Sequence, residues 1–155
     1  MRFNNEPKWW RKMMAFLISQ GISLFGSQIV QMAVIWYVTL ETSSGIWVTV
    51  LTLAAFLPQM IISLFAGVWA DRYNRKRMII AADAIIAVTT LLLAVFMMSG
   101  NVGEAALPAI ILVSVVRSLG SGIHAPTVNA MIPQLVPEDG LMRVNGINGS
   151  IQSVV

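Results

Sequence analysis

The chain has 155 residues, of which 57% are hydrophobic and only 11% are charged, with a net charge of +3. Soluble domains carry about 25% charged residues, so an ordinary soluble fold is excluded for want of polar surface. The absence of cysteine excludes disulfides and thiolate metal sites.

The first segment, 1–12, is basic through Arg2, Lys8, Arg11 and Lys12. It is followed by an uncharged run at 13–40, longer than the roughly 20 residues a spanning helix needs. That run is too long for a signal-peptide core, and no small-x-small cleavage site follows it. Within it, Gln20, Ser23, Ser27 and Gln31 recur every three or four residues, which places them on one helical stripe. Such a stripe serves either as hydrogen-bonding glue between helices or as the wall of a water-filled cavity.

A second uncharged span is predicted at 46–70. The basic link that follows contains Arg72, Arg75, Lys76 and Arg77. The third span, 78–100, carries Asp83, and the fourth, 105–133, carries Arg117. Ser114, Arg117, Ser121 and His124 share one face of that fourth helix. An arginine at a helix centre costs on the order of 3 kcal/mol by insertion scales, so Arg117 must face a partner or water. Asp71 and Asp83 are the available carboxylates. A fixed ion pair that orients helices and a switchable, proton-coupled pair are both open. His124 serves either as a packing residue or as a substrate or proton site.

A fifth helix is predicted over 141–155. Its uncharged part begins at Val144 and reaches about 18 Å, short of a full crossing. This predicts that the chain is the beginning of a longer protein, with a re-entrant or interfacial segment as the alternative. The fold class is therefore an all-α membrane protein with four full transmembrane helices and the start of a fifth. Nine of the ten basic residues fall on one side of these spans, Arg117 being the tenth, and this sets the N-terminus in the cytoplasm. Trp9, Trp10 and Trp47 fall near the predicted interfaces.

Motifs of enzyme chemistry are weak. Gly120-Ser121-Gly122-Ile123-His124-Ala125 spells a dinucleotide fingerprint, but it lies within an apolar helix rather than after a strand. Small residues there suit close helix packing instead. Asn148-Gly149-Ser150 is a glycosylation sequon by spelling only, inside the fifth helix. There is no phosphate-binding loop and no paired-histidine metal motif, and no nucleic-acid partner is predicted. A hydrolytic triad would have to use the single histidine, and the spacing of Asp83 and Ser121 does not support one. No catalytic residue, metal or cofactor is predicted.

The most specific local pattern is Gly67-Val68-Trp69-Ala70-Asp71-Arg72-Tyr73-Asn74-Arg75-Lys76-Arg77. A spanning helix ends at a carboxylate and gives way to a tight, basic turn, where Asn74 suits a left-handed conformation. This run resembles the signature between helices 2 and 3 of the major facilitator superfamily. Gly67, Ala70, Asp71, Arg72, Arg75, Lys76 and Arg77 match; Trp69 and Asn74 depart from the usual Leu and Gly. Arg117, Gly120 and Gly122 approximate a second family pattern in helix 4, with the first glycine one residue early. The texture of 28–37, Phe56-Leu57-Pro58, and 124–138 is similar to the drug-exporting branch that includes macrolide-efflux proteins.

The resemblance implies a partial six-helix half of a twelve-helix fold that works by alternating access on a proton gradient. It implies that Asp71, with the basic link, makes cytoplasmic charge contacts, and that Arg117 takes part in proton coupling, with Asp83 as a second candidate. Gln20, Ser23, Ser27, Gln31, Ser121 and His124 are the candidate cavity wall. The implied partners are the bilayer, an amphipathic or hydrophobic drug, and the remaining helices of the same transporter. The implied location is the cell membrane, and this segment alone is not expected to transport. Two other functions fit the composition: a small membrane scaffold or regulatory protein, and a superfamily transporter for sugars, peptides or siderophores.

Overall fold

A computed structural model describes residues 8–154. Arg2, with the rest of 1–7, and Val155 lie outside the described residues. Five α-helices run in order: α1 Lys8–Thr42, α2 Gly45–Arg72, α3 Arg75–Met98, α4 Leu107–Leu135 and α5 Glu138–Val154, with a 3-10 turn at Gly103–Ala106 before α4. No strand occurs among the described residues. The first four helices are long and apolar enough to cross a membrane. The chain is a multi-pass membrane protein.

The helix ends follow from local chemistry. The 35 residues of α1 span about 52 Å, more than a bilayer core of about 30 Å, so α1 extends past it or tilts. It starts at Lys8, five residues before the predicted 13, because its first turns are anchored outside the apolar run. Trp9 and Trp10 meet edge to face, and Trp10 lies 4.0 Å beneath the Arg143 guanidinium of α5. It stops where Ser43 adopts a left-handed backbone with φ of 46°. Thr42 Oγ1 steadies that corner by accepting from the Ser44 amide at 3.3 Å.

The turn between α2 and α3 departs from expectation. Asn74 is not left-handed: its backbone is extended, and its Oδ1 accepts from the Arg77 amide at 3.2 Å. It is the N-cap of α3, which satisfies a free amide there and lets the helix begin at Arg75 rather than 78. At the other end Gly100, with φ of 94°, closes α3 before its predicted limit. Pro108 sits in the first turn of α4, where its missing N–H costs nothing. Glu138 and Asp139 occupy the first turn of α5, where carboxylates suit the helix dipole.

α4 is the central helix. It packs against α2 on one side and α3 on the other, and it carries more of the buried positions than any other helix. Two glycines allow this. A Cβ at Gly122 would stand 2.6 Å from the Gln59 carbonyl oxygen of α2 and would also strike Ile62. A Cβ at Gly120 would stand 2.8 Å from Ile86 of α3. Close approach of this kind binds helices in lipid, where burial of apolar surface supplies no net drive.

Outward, the bundle presents Ile22, Phe25, Trp36, Phe56, Leu64, Leu91 and Leu92, all exposed. A surface so apolar fits hydrocarbon rather than water. Inward, two apolar clusters pack near the ends. One joins Val38, Leu51, Leu93, Leu107 and Ile110. The other joins Met13 and Leu17 of α1 with Ile132, Val136 and Val144. Between them the interior turns polar.

Candidate functional site

A cavity of about 330 Å³ occupies that polar middle. Its wall on α1 includes Gln20, Ser23, Ser27 and Gln31, and its wall on α4 includes Ser114, Arg117, Ser121 and His124. All six residues predicted as cavity wall therefore meet one space. Asp83 enters it from α3, Gln59 from α2, and Asn148 and Gln152 from α5.

The chemistry is arranged in two rungs between antiparallel α3 and α4. On the first, Ser23 Oγ donates to Asp83 Oδ1 at 3.3 Å, and His124 Nε2 lies 3.3 Å from the same oxygen. That nitrogen is close enough for an ion pair but makes no directed hydrogen bond. On the second, Arg117 Nη1 donates to Thr90 Oγ1, while its Nη2 donates to the Ser27 carbonyl at 3.1 Å and to Ser27 Oγ at 3.3 Å. Asp83 to Thr90 and His124 to Arg117 are both seven-residue steps, so the rungs stand about 10 Å apart. Each rung draws one side chain from α1.

Neither predicted carboxylate contacts Arg117. Asp71 is engaged elsewhere, and Asp83 stands one rung away. Arg117 is held by neutral oxygens, which the guanidinium fork suits because it can point two nitrogens at two helices. Thr90 can receive it because its own hydrogen is already given to the Ile86 carbonyl at 2.6 Å. The side chains of Gln20 and Gln31 each leave one buried atom without a partner, Oε1 and Nε2 respectively. Together with His124 Nε2, these give the cavity hydrogen-bonding capacity that the bundle does not itself use.

A separate cluster lies at the basic end. Arg75 Nε donates to the Ala70 carbonyl at 2.8 Å, its Nη1 to the Ala130 carbonyl of α4 at 3.1 Å, and its Nη2 to Asp71 Oδ1 at 3.0 Å. A half-buried arginine thus caps the end of α2 and ties it to α4. Asp71 itself is largely exposed. Arg72, Lys76 and Arg77 are exposed, and Gly67 faces open space. The structure brings Asp71 and Arg75 together and leaves the other residues of the predicted charge-contact run apart.

The sequence did not point to Thr90, Gln59 or Asn148. Thr90 carried no signal, since a mid-span threonine ordinarily bonds its own helix backbone. Gln59 could have been found as an amide in an otherwise uncharged span. Asn148 was hidden by its sequon spelling; it is buried, and its Nδ2 donates to Asn129 Oδ1 at 3.0 Å, joining α5 to α4. No group of three or more metal-ligating side chains occurs among the described residues.

The family model described as Major Facilitator Superfamily matches residues 16–155. Macrolide efflux protein A of Streptococcus pyogenes is 36% identical over 155 residues, covering 99% of this chain and 36% of that protein. Macrolide efflux protein A of Enterococcus faecalis is 36% identical over 106 residues, covering 67% of this chain and 31% of that protein. An uncharacterized MFS-type transporter of Bacillus subtilis, YkuC, is 26% identical over 113 residues, covering 73% of this chain and 25% of its own. The chain thus spans about a third of the length of the curated relatives it matches. No solved structure matches it significantly.

Proposed function

The chain belongs to the major facilitator superfamily, and we propose that it forms part of a proton-driven exporter of macrolide-like drugs that works by alternating access. The observation that carries this reading is the cavity between the two apolar clusters, with the ionisable side chains of Asp83, Arg117 and His124 facing it. Ionisable groups within a membrane interior are costly and mark substrate or proton paths. The likeness to the two macrolide efflux proteins supports the drug class. Their greater length supports a working unit that includes further helices, so that this bundle supplies one side of a larger passage.

The test is export by the full-length transporter in drug-sensitive cells. Cells expressing it accumulate less labelled macrolide, and a proton uncoupler removes the difference. Equal accumulation with and without expression overturns the reading. Asp71→Asn lowers export by about tenfold, equivalent to roughly 1.4 kcal/mol in a conformational equilibrium. Membrane insertion persists, because an exposed i,i+4 pair contributes only about 0.3–0.5 kcal/mol. Unchanged export in this variant removes Asp71 from the mechanism.

The orientation belongs to the same proposal. Arg72, Arg75, Lys76, Arg77 and Arg143 gather at one end of the bundle, and Glu41 and Glu104 at the other. With the basic end in the cytoplasm of the cell-membrane protein, Ser43→Cys reacts with an impermeant maleimide added outside intact cells. Asn74→Cys reacts only after the cells are opened. The chain has no native cysteine to confuse the labelling, and the reverse pattern inverts the topology.

A further inference from the structure

The way α1 is attached to the bundle suggests what the first rung does. Near its start α1 is held by apolar contacts through Met13 and Leu17, and near its end through Val38. Its middle meets α3 and α4 through hydrogen bonds: Ser23 to Asp83, and Ser27 to Arg117. The two bonds differ in kind. Arg117 cannot release its proton in a protein, so the grip on Ser27 is fixed. Asp83 can change charge, so the grip on Ser23 can change.

We propose that Asp83 and His124 hold a single proton between them, and that this proton sets how firmly Ser23 fastens the middle of α1. The exporter reading supplies the use of such a site; the site itself rests on the geometry. Among the described residues, the cavity wall holds no carboxylate or histidine besides this pair. The walls on α1, α2 and α5 offer it neutral groups such as Gln20, Gln59 and Asn148. α3 offers Asp83 itself, and α4 adds only the constant charge of Arg117, one rung away.

Without the proton, Asp83 is a full carboxylate and Ser23 makes a charge-assisted bond to it, roughly twice as strong as a neutral one. His124 is then a neutral imidazole whose Nε2 has no directed partner. With the proton, the charge of the carboxylate is shared with His124 across 3.3 Å, at the oxygen Ser23 also uses. On the carboxyl group the proton removes the charge assistance of the Ser23 bond; on Nε2 it makes an imidazolium that competes for the same oxygen and weakens that bond. The Arg117–Ser27 bond and the two apolar clusters stay as they are. The stretch of α1 around Ser23, part of the cavity wall, loosens between the Met13–Leu17 contacts and the anchored Ser27.

His124 is the sole histidine of the chain, so one nitrogen-15 label reports it without assignment. In the 155-residue chain in lipid nanodiscs, the His124 resonances move in two steps with pH, as coupled groups do. Asp83→Asn reduces these to one step and moves the midpoint by about one pH unit or more, while Asp71→Asn changes neither. In the wild type, amide hydrogen exchange across 20–24 rises several-fold once the proton is bound, with 13–17 and 34–38 unchanged. Ser23→Ala exchanges fast on both sides of the transition. A single step untouched by Asp83→Asn, or equal exchange in α1 on both sides of the wild-type transition, overturns the proposal. The wild-type exchange decides the matter even where Asp83→Asn fails to insert. No readout depends on transport, so a chain that titrates this way while the full-length protein exports no drug removes the exporter reading and leaves this one standing.

Discussion

Arg117→Met is expected to leave the helical bundle about as stable as the wild type, and to lower export by the full-length transporter by about tenfold or more. The two halves of this expectation have different causes. Placing an arginine in mid-membrane costs on the order of 3 kcal/mol. Hydrogen bonds inside membrane proteins return about 0.6 kcal/mol each on average, and Arg117 makes three, to Thr90 and twice to Ser27. The bonds therefore offset only part of the cost. Methionine fills similar space without charge, Thr90 keeps its bond to the Ile86 carbonyl, and the Ser27 hydroxyl can turn to its own helix. Replacing buried charge by apolar groups is often neutral or stabilising.

What methionine cannot supply is a permanent positive charge 10 Å or so from the Asp83–His124 pair. Arg117→Lys separates charge from shape. A lysine keeps the charge but has no planar fork to hold α3 and α1 at once, so its export falls between the wild type and Arg117→Met. Reversible unfolding in mixed micelles, followed by helix content, measures stability, and drug accumulation measures export. A methionine variant that unfolds far more readily and exports in proportion to its folded amount makes Arg117 a packing residue.

The spans were legible because hydrocarbon tolerates so few charges: uncharged runs announce themselves, and a helix in lipid must satisfy its backbone internally. The polar stripes on α1 and α4 were legible from helical spacing alone, which is why all six predicted wall residues reach the same cavity. The partner of Arg117 was not. Spacing within one helix fixes a face, but the level at which two helices meet depends on their packing. Here that level is set by Gly120 and Gly122, whose neighbours lie in α3 and α2. Charge complementarity suggested a carboxylate for Arg117, yet packing brings Thr90 to its level and sends Asp83 to His124. The same limit applied at Asn74. Its residue type suits either a left-handed turn or an N-cap, and the choice came from where the α3 amides fell.

If Gly122 sets that level, enlarging it has a large effect. Gly122→Val is expected to destabilise the bundle by about 1–3 kcal/mol, the usual cost of overpacking a tight contact, or to block assembly of α2 on α4. A Cβ there meets the Gln59 carbonyl oxygen at 2.6 Å, and backbone cannot swing aside as a side chain can. Gly120→Ala is milder: its nearest neighbour is the flexible Ile86 side chain, and the Ala82 carbonyl is 3.3 Å away. Gly26→Ala is the control. Nothing lies within 4 Å of its added carbon, and alanine gains up to about 1 kcal/mol of helix propensity over glycine. The expected order of stability runs from Gly26→Ala at or above wild type, through Gly120→Ala, to Gly122→Val at the bottom. The cavity follows the same order, because Gln59, which reaches it from α2, moves with the backbone that Gly122 admits. Single-cysteine pairs across α2 and α4, cross-linked in the membrane, read that displacement directly. Efficient cross-linking and wild-type stability in Gly122→Val would mean that α2 and α4 are held at this distance by something other than the missing side chain.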